Sequence, residues 1–224
     1  QVVGATQAAA KNNIELNKDQ QASAPDPAMI AMFTNIVKEM FDYGREILLK
    51  RRKDPKDDLL SVIANMEIEG KKLPDEYLDG SWLLIIIAGN ETTRNSISGT
   101  IKLLTENPDQ KEKLINHMEL LPNMTHEAIR LISPVIYMRR TTREETQIGN
   151  QKIGPHEKVV MYYGAANRDP EIFDNPDRFD IERENSKKHL AFGYGRHLCL
   201  GKHMANMQLS EVYKQILTRF PDMH

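Results

Sequence analysis

A chain of 224 residues with a formal net charge of only −2 gives no electrostatic reason to expect nucleic acid or a membrane surface as its partner. Its single cysteine excludes an intrachain disulfide and suits a reducing, cytoplasmic compartment. The longest apolar run, Trp82 to Ala88, is broken by Gly89-Asn90-Glu91, too early for a membrane span. No signal peptide is visible, and the start Gln1-Val-Val-Gly reads as the middle of a longer protein.

Residues 1–26 are rich in Ala, Asn and Gln, and the turn Ala24-Pro25-Asp26-Pro27 separates two predicted helices. Met29 to Arg52 is the second of these. It places Met29, Met32, Phe33, Ile36, Val37, Met40, Phe41, Ile47 and Leu48 on one side and ends in Lys50-Arg51-Arg52-Lys53, which suits a helix C-terminus. Asp57 to Met66 predicts a short helix and Gly70-Lys71 a turn. Pro74, followed by Asp75 and Glu76, opens a long helix that runs to Asn107-Pro108. About thirty helical residues span roughly 45 Å, enough to cross a domain. Asp109 to Met118 and Thr125 to Leu131 predict two more helices before the break at Ser133-Pro134. Glu145 to Ile148 and Lys158 to Tyr163 predict the strands of a hairpin with a turn at Gly149-Asn150. A Pro- and Asp-rich coil, Arg168 to Asp180, leads to Phe192-Gly-Tyr-Gly-Arg-His-Leu-Cys199-Leu-Gly201. After that stretch Met204, Met207, Leu209, Val212, Ile216, Leu217 and Phe220 recur with helical spacing. The class is mainly α with a small β component, without internal repeats.

Three motifs carry chemistry. Cys199 stands at a helix start beside Arg196 and His197, and cations and helix N-termini favour the thiolate, a nucleophile or soft metal ligand. The upstream glycines, Gly193 and Gly195, let the backbone pass close to a flat partner, with Phe192 against its face. From the residues alone two other readings stay open: a small buried hydrophobe, or zinc held by His197, Cys199 and His203, for which no fourth ligand is evident. The second motif, Ala88-Gly89-Asn90-Glu91-Thr92-Thr93, lies in the middle of the long helix. An interior glycine there costs about 1 kcal/mol relative to alanine, and Asn and Thr compete for backbone hydrogen bonds. Ala88 and Thr92 lie one above the other with Gly89 beside them. The result is a shallow patch with one hydroxyl at its edge, fit for a flat macrocycle and a diatomic ligand. The alternative is a kink filled by Thr92 bonding back to the Ala88 carbonyl. Third, Glu127 and Arg130 are one turn apart and can pair as a bidentate fork.

Together these stretches resemble the cytochrome P450 monooxygenases. The ten residues ending at Gly201 resemble the family's cysteine-ligand loop. The hexad from Ala88 resembles its oxygen-activating segment. Glu127-x-x-Arg130, with Arg178 of Asn175-Pro176-Asp177-Arg178-Phe179 as third member, resembles its buried structural network. The resemblance implies one partial P450 domain over residues 1–224 and haem b (iron protoporphyrin IX) held by Cys199. Ala88, Gly89, Phe192, Gly193 and Gly201 would lie against the haem, and His197 and Arg140 would contact its propionates, with Arg139 as the rival of Arg140. Thr92 would hydrogen-bond dioxygen, Glu91 would relay protons through water, and Val135 and Ile136 would line the substrate pocket. The implied activity inserts one oxygen atom into an apolar steroid, terpenoid or long aliphatic chain. Electrons would come from NAD(P)H through a reductase and a ferredoxin. The ferredoxin would dock on a basic face of Lys187, Lys188, Lys202 and His203, with His189 and Arg196 read as surface groups. In the family the oxygen-activating helix comes later, so the chain reads as an internal portion of such an enzyme, with Trp82 and Leu83 expected to lack partners. A non-catalytic or haem-poor form of the same fold is the alternative.

Overall fold

The computed structural model describes residues 26–223, which form two compact units, one up to Leu83 and one from Leu84 on. The helix expected before Ala24 lies outside the described residues.

In the first unit, α1 (Pro27–Lys53) begins where the Asp26 carboxylate accepts the Ala28 N–H at 2.9 Å and Pro27 occupies the first turn. Its last turn is the four-residue cationic run. α2 (Leu59–Asn65) is capped by Asp58, which accepts the Ser61 N–H at 2.7 Å. A minimal hairpin, β1 (Glu67–Ile68) and β2 (Lys71–Lys72), turns through Gly70 at φ +74°. It leads into α3 (Asp75–Glu106), within which the unit boundary falls. Leu48, Ile63, Ala64, Leu73, Leu78 and Trp82 are buried. Arg52 ties the unit together by donating to the carbonyls of Ala64 at 2.9 Å and Leu73 at 2.7 Å. Trp82 therefore does have partners, contrary to expectation. Its indole N–H donates to the Met40 carbonyl at 3.0 Å, and Tyr43 packs edge-on at 5.8 Å. α1 approaches this closely because Gly44 has no side chain; a Cβ there would overlap the indole ring. Met29, Met32, Phe33 and Ile36, on the predicted apolar side of α1, are exposed.

In the second unit, Pro108 ends α3 and starts α4 (Pro108–Asn116). α5 (Leu121–Ile132) stops at Ser133, which takes a left-handed φ of +44°. Leu121, Met124, Ala128 and Leu131 of α5 share a core with Leu104, Leu114, Phe179 and Ile181 and with Tyr213 and Leu217 of the last helix, α7 (Lys202–Arg219). The short α6 (Tyr163–Ala166) lies between them in the chain. Tyr213 donates its hydroxyl hydrogen to the Ile97 carbonyl, which satisfies the one polar atom of a buried ring.

The β component differs from expectation. Gly149, at φ +57°, closes a tight hairpin between β4 (Thr146–Ile148) and β5 (Gln151–Ile153). The expected partner, β6 (Lys158–Tyr162), pairs instead with β3 (Tyr137–Thr141), Arg140 opposite Val159. A two-residue turn pairs its immediate neighbours, which leaves β6 free for β3. The sequence hides β3 because Arg139-Arg140 interrupts its apolar alternation. Among the described residues, no helix is long and apolar enough to cross a membrane.

Gly44→Ala is expected to lower stability by about 1–3 kcal/mol through overpacking against Trp82, despite the ~1 kcal/mol that alanine gains in a helix. Urea unfolding followed by Trp82 fluorescence measures it.

Candidate cysteine-ligand site and its buried support

α5 points Glu127 and Arg130 into a space that water does not reach; both are 0% exposed. Arg130 donates to both Glu127 oxygens at 2.8 Å, the bidentate geometry that makes arginine the preferred partner of a carboxylate. Its remaining donors reach the carbonyls of Asn167 and Pro176, each at 2.7 Å, and Arg178 at 3.3 Å. Glu127 also accepts the Asp180 N–H at 3.1 Å and Nε–H of Arg183 at 3.0 Å. The expected third member is thus corrected. Arg183 supplies the second guanidinium, whereas the exposed Arg178 supplies only its carbonyl, which both buried arginines use. Physically, the coil needs a carbonyl at position 178 and five more residues to bring a side chain back to Glu127. The family resemblance pointed to Arg178 within Asn175-Pro176-Asp177-Arg178-Phe179; nothing local distinguishes Arg183.

Asn167 escaped the sequence reading altogether. Fully buried, it accepts the Leu190 N–H at 2.6 Å and donates to Ser133 Oγ at 2.9 Å, while its carbonyl serves Arg130. It joins the arginine network to the backbone that leads into the cysteine loop.

That loop is bent by Gly193 (φ +72°) and Gly195 (φ +67°), conformations that side chains rarely adopt. A Cβ on Gly193 would also press on the His197 carbonyl at 3.2 Å. The Cys199 N–H donates to the Phe192 carbonyl at 2.8 Å, and the Cys199 carbonyl accepts from Lys202 at the start of α7. Cys199 itself is an exposed, free thiol, not a buried hydrophobe. His197 and Gly201 are exposed beside it. Among the described residues no group of three His, Cys, Asp or Glu side chains converges, so His197, Cys199 and His203 do not form a zinc set.

His189, expected at the surface, is buried at 7% exposure. Its ring lies 5.4 Å from that of Phe192, and its Nε2 is 3.2 Å from Nδ1 of His126 on α5. Burial, reinforced by His126, Lys202 and Arg130, pushes its pKa from 6.5 down to about 3. Burial likewise lowers that of His126, with Lys187 and Lys202 contributing.

On α3, Thr92 donates its hydroxyl hydrogen to the Ala88 carbonyl at 2.7 Å, the local back-bond named as the alternative. Ser96 and Thr100 repeat it toward Thr92 and Ser96 at 2.8 and 2.7 Å. Ala88 and Gly89 are exposed, and nothing lies within 4 Å of a Cβ built on Gly89. Glu91 pairs with Arg94 at 2.6 Å on the surface. Arg139 and Arg140 are both exposed on β3, and Arg140 donates to the Arg139 carbonyl at 2.9 Å. Val135 is half-buried, whereas Ile136 is exposed and its carbonyl anchors Tyr163 and Gly164.

A family model described as Cytochrome P450 matches residues 27–221. The chain belongs to the cytochrome P450 family. It is 41% identical over 184 residues to linalool 8-monooxygenase of Pseudomonas putida, covering 82% of this chain and 45% of that one. Over 202 residues it is 36% identical to steroid C26-monooxygenase of Mycolicibacterium smegmatis, covering 90% and 50%. The crystal structure of CYP109E1 from Bacillus megaterium in complex with corticosterone matches with a TM-score of 0.78 at 37% identity, covering 84% of this chain and 51% of that one. The chain therefore spans about half the length of the curated P450 relatives it matches.

Breaking the buried network separates its members. Glu127→Ala is expected to cost about 3–5 kcal/mol because two guanidinium groups lose their counter-charge. Arg183→Lys should cost about 1–3 kcal/mol, since an ammonium cannot reach all its acceptors. Arg178→Ala should stay within about 0.5 kcal/mol; urea midpoints rank the three. For His189 the depressed pKa means that the unfolded chain takes up a proton the folded chain refuses. Its contribution is complete above about pH 6.5 and declines as pH falls toward 3. Stability should therefore drop on acidification before the carboxylates titrate, and His189→Phe should flatten that part of the profile.

Proposed function

We propose that this chain provides the cysteine-ligand part of a haem-dependent monooxygenase that inserts one atom of dioxygen into an apolar organic substrate and reduces the other to water. The observation that carries the reading is an exposed thiol, Cys199, in a glycine-bent loop whose amide is tied to Phe192, in a member of the P450 family.

The residues suit a haem b. Thiolate is a ligand that iron accepts, the free thiol is accessible, and Gly89 leaves open space on α3 where any side chain would intrude. Cys199 would hold the iron and donate electron density to it. Phe192, Gly193 and Gly201 would lie along the ring, Ala88 and Gly89 would allow its close approach, and His197 and Arg140 would neutralise the propionates. Haem, when bound, supplies the activation of dioxygen and the oxygen transfer. Thr92 has its hydrogen committed to Ala88, so its hydroxyl offers acceptor lone pairs and must rotate to donate. Glu91 is held by an exposed pair worth about 0–1 kcal/mol, weak enough to release the carboxylate to water as a proton relay. Val135 and Ile136 would contribute an apolar wall.

For the substrate, relatives named for linalool and for a steroid support a terpenoid, a steroid or another long apolar molecule. Electrons would arrive from NAD(P)H through a reductase and an acidic ferredoxin. The ferredoxin would be steered to the exposed Lys187, Lys188, Arg196 and His203. The exposure of Leu84 and Ile87, 67% and 59%, favours a second reading in which this stretch takes up haem weakly and does not itself turn over.

Reconstitution with haem, reduction and carbon monoxide tests both. The red-shifted Soret band of thiolate ligation is expected for the wild type and should vanish in Cys199→Ala. No haem absorbance in the wild type would sink the first reading. In an active holoprotein, Thr92→Ala should raise the electrons consumed per product, and unchanged coupling removes Thr92 from its role.

A further inference from the structure

The segment entering the cysteine loop is held by contacts that the proposed chemistry leaves unused. The Ala191 N–H donates to Nδ1 of His189 at 3.2 Å. A backbone amide only donates, so this nitrogen is the acceptor, and a neutral His189 carries its hydrogen on Nε2. That atom faces Nδ1 of His126 at 3.2 Å. His126 must then accept, with its own hydrogen on Nε2. On its other side His189 packs against Phe192 with ring centroids 5.4 Å apart, and the Phe192 carbonyl holds the Cys199 N–H at 2.8 Å. A continuous series of contacts thus runs from α5 to the cysteine.

We propose that His189, as the Nε2–H tautomer donating to His126, is a positioning residue for the cysteine ligand: it fixes Phe192 and, through the Phe192 carbonyl, the backbone of Cys199. The consequence for ligation rests on the haem-thiolate reading, but the contacts do not. Protonating His126 would put two N–H groups into that 3.2 Å gap, and protonating His189 would set an Nδ1–H against the Ala191 N–H, also at 3.2 Å. The charged groups that act on the pair, Lys187, Lys202 and Arg130, are all cations and offer an imidazolium no support. The neutral pair is therefore the form that closes the contact, and acid opens it.

The test uses the full chain. Nitrogen-15 shifts of the imidazoles are expected to show His189 protonated on Nε2 alone at neutral pH. His126→Leu, which removes the acceptor, should speed hydrogen exchange of the Cys199 amide at least tenfold. His126→Asn, whose side-chain oxygen stands where Nδ1 was, should restore it without a titrating group. In haem-loaded protein the same pair of variants should lose and regain the thiolate Soret band of the reduced carbon monoxide complex. A His189 hydrogen on Nδ1, Cys199 exchange unchanged in His126→Leu, or no restoration by His126→Asn overturns the proposal. The tautomer and exchange are read without haem. A wild type that takes up none therefore defeats the haem-thiolate reading and leaves the positioning result standing or falling on its own.

Discussion

The carboxylate of Glu127 is the point on which the second unit depends. Removed from water, it accepts four hydrogen bonds, from Arg130, Arg183 and the Asp180 amide. A buried charge left unpaired costs several kcal/mol, so the chain must bring these donors to it. Arg130 in turn has all five of its N–H donors occupied, which requires carbonyls from Asn167, Pro176 and Arg178 to converge. A coil without regular secondary structure thereby acquires one course. Its order is a consequence of charge satisfaction, with Phe179 and Ile181 adding apolar anchors.

From that fixed coil the constraint passes to the cysteine loop by two routes. Asn167 holds the Leu190 amide, and His126, the neighbour of Glu127 on α5, meets His189. Successive positions of one helix thus serve the structural network and the approach to Cys199. The loop beyond is exposed and bent by glycines, with few contacts of its own. The support is buried while the Cys199 thiol is accessible.

α3 solves a different problem. Its serines and threonines would weaken an isolated helix by competing for backbone groups, yet Thr92, Ser96 and Thr100 each return their hydrogen to the carbonyl four residues back. Their polarity is satisfied within the helix. The face at Ala88 and Gly89 therefore stays free of side chains without leaving a donor stranded.

Patterns of near neighbours were legible from the sequence. Helical recurrence, Pro74 and Pro108 marked α3, Gly149-Asn150 marked a turn, and the spacing of Glu127 and Arg130 allowed a fork because residues three apart share a helix face. The glycines around Cys199 likewise announced a sharply bent loop, since backbone freedom is a property of the residues themselves. Whatever depended on distant partners was decided only by the tertiary structure. Arg183 rather than Arg178 reaches Glu127, β6 pairs with β3, Gly44 admits Trp82, Asn167 is buried in the network, and His189 is buried where a surface position was expected. Each of these turns on a contact between segments far apart in the chain, and local propensity carries no information about which distant carbonyl or ring will fill a given space. The sequence by itself marked Cys199 as a lone cysteine between glycines; the packing of α5 and the coil decided what holds the segment leading to it in place.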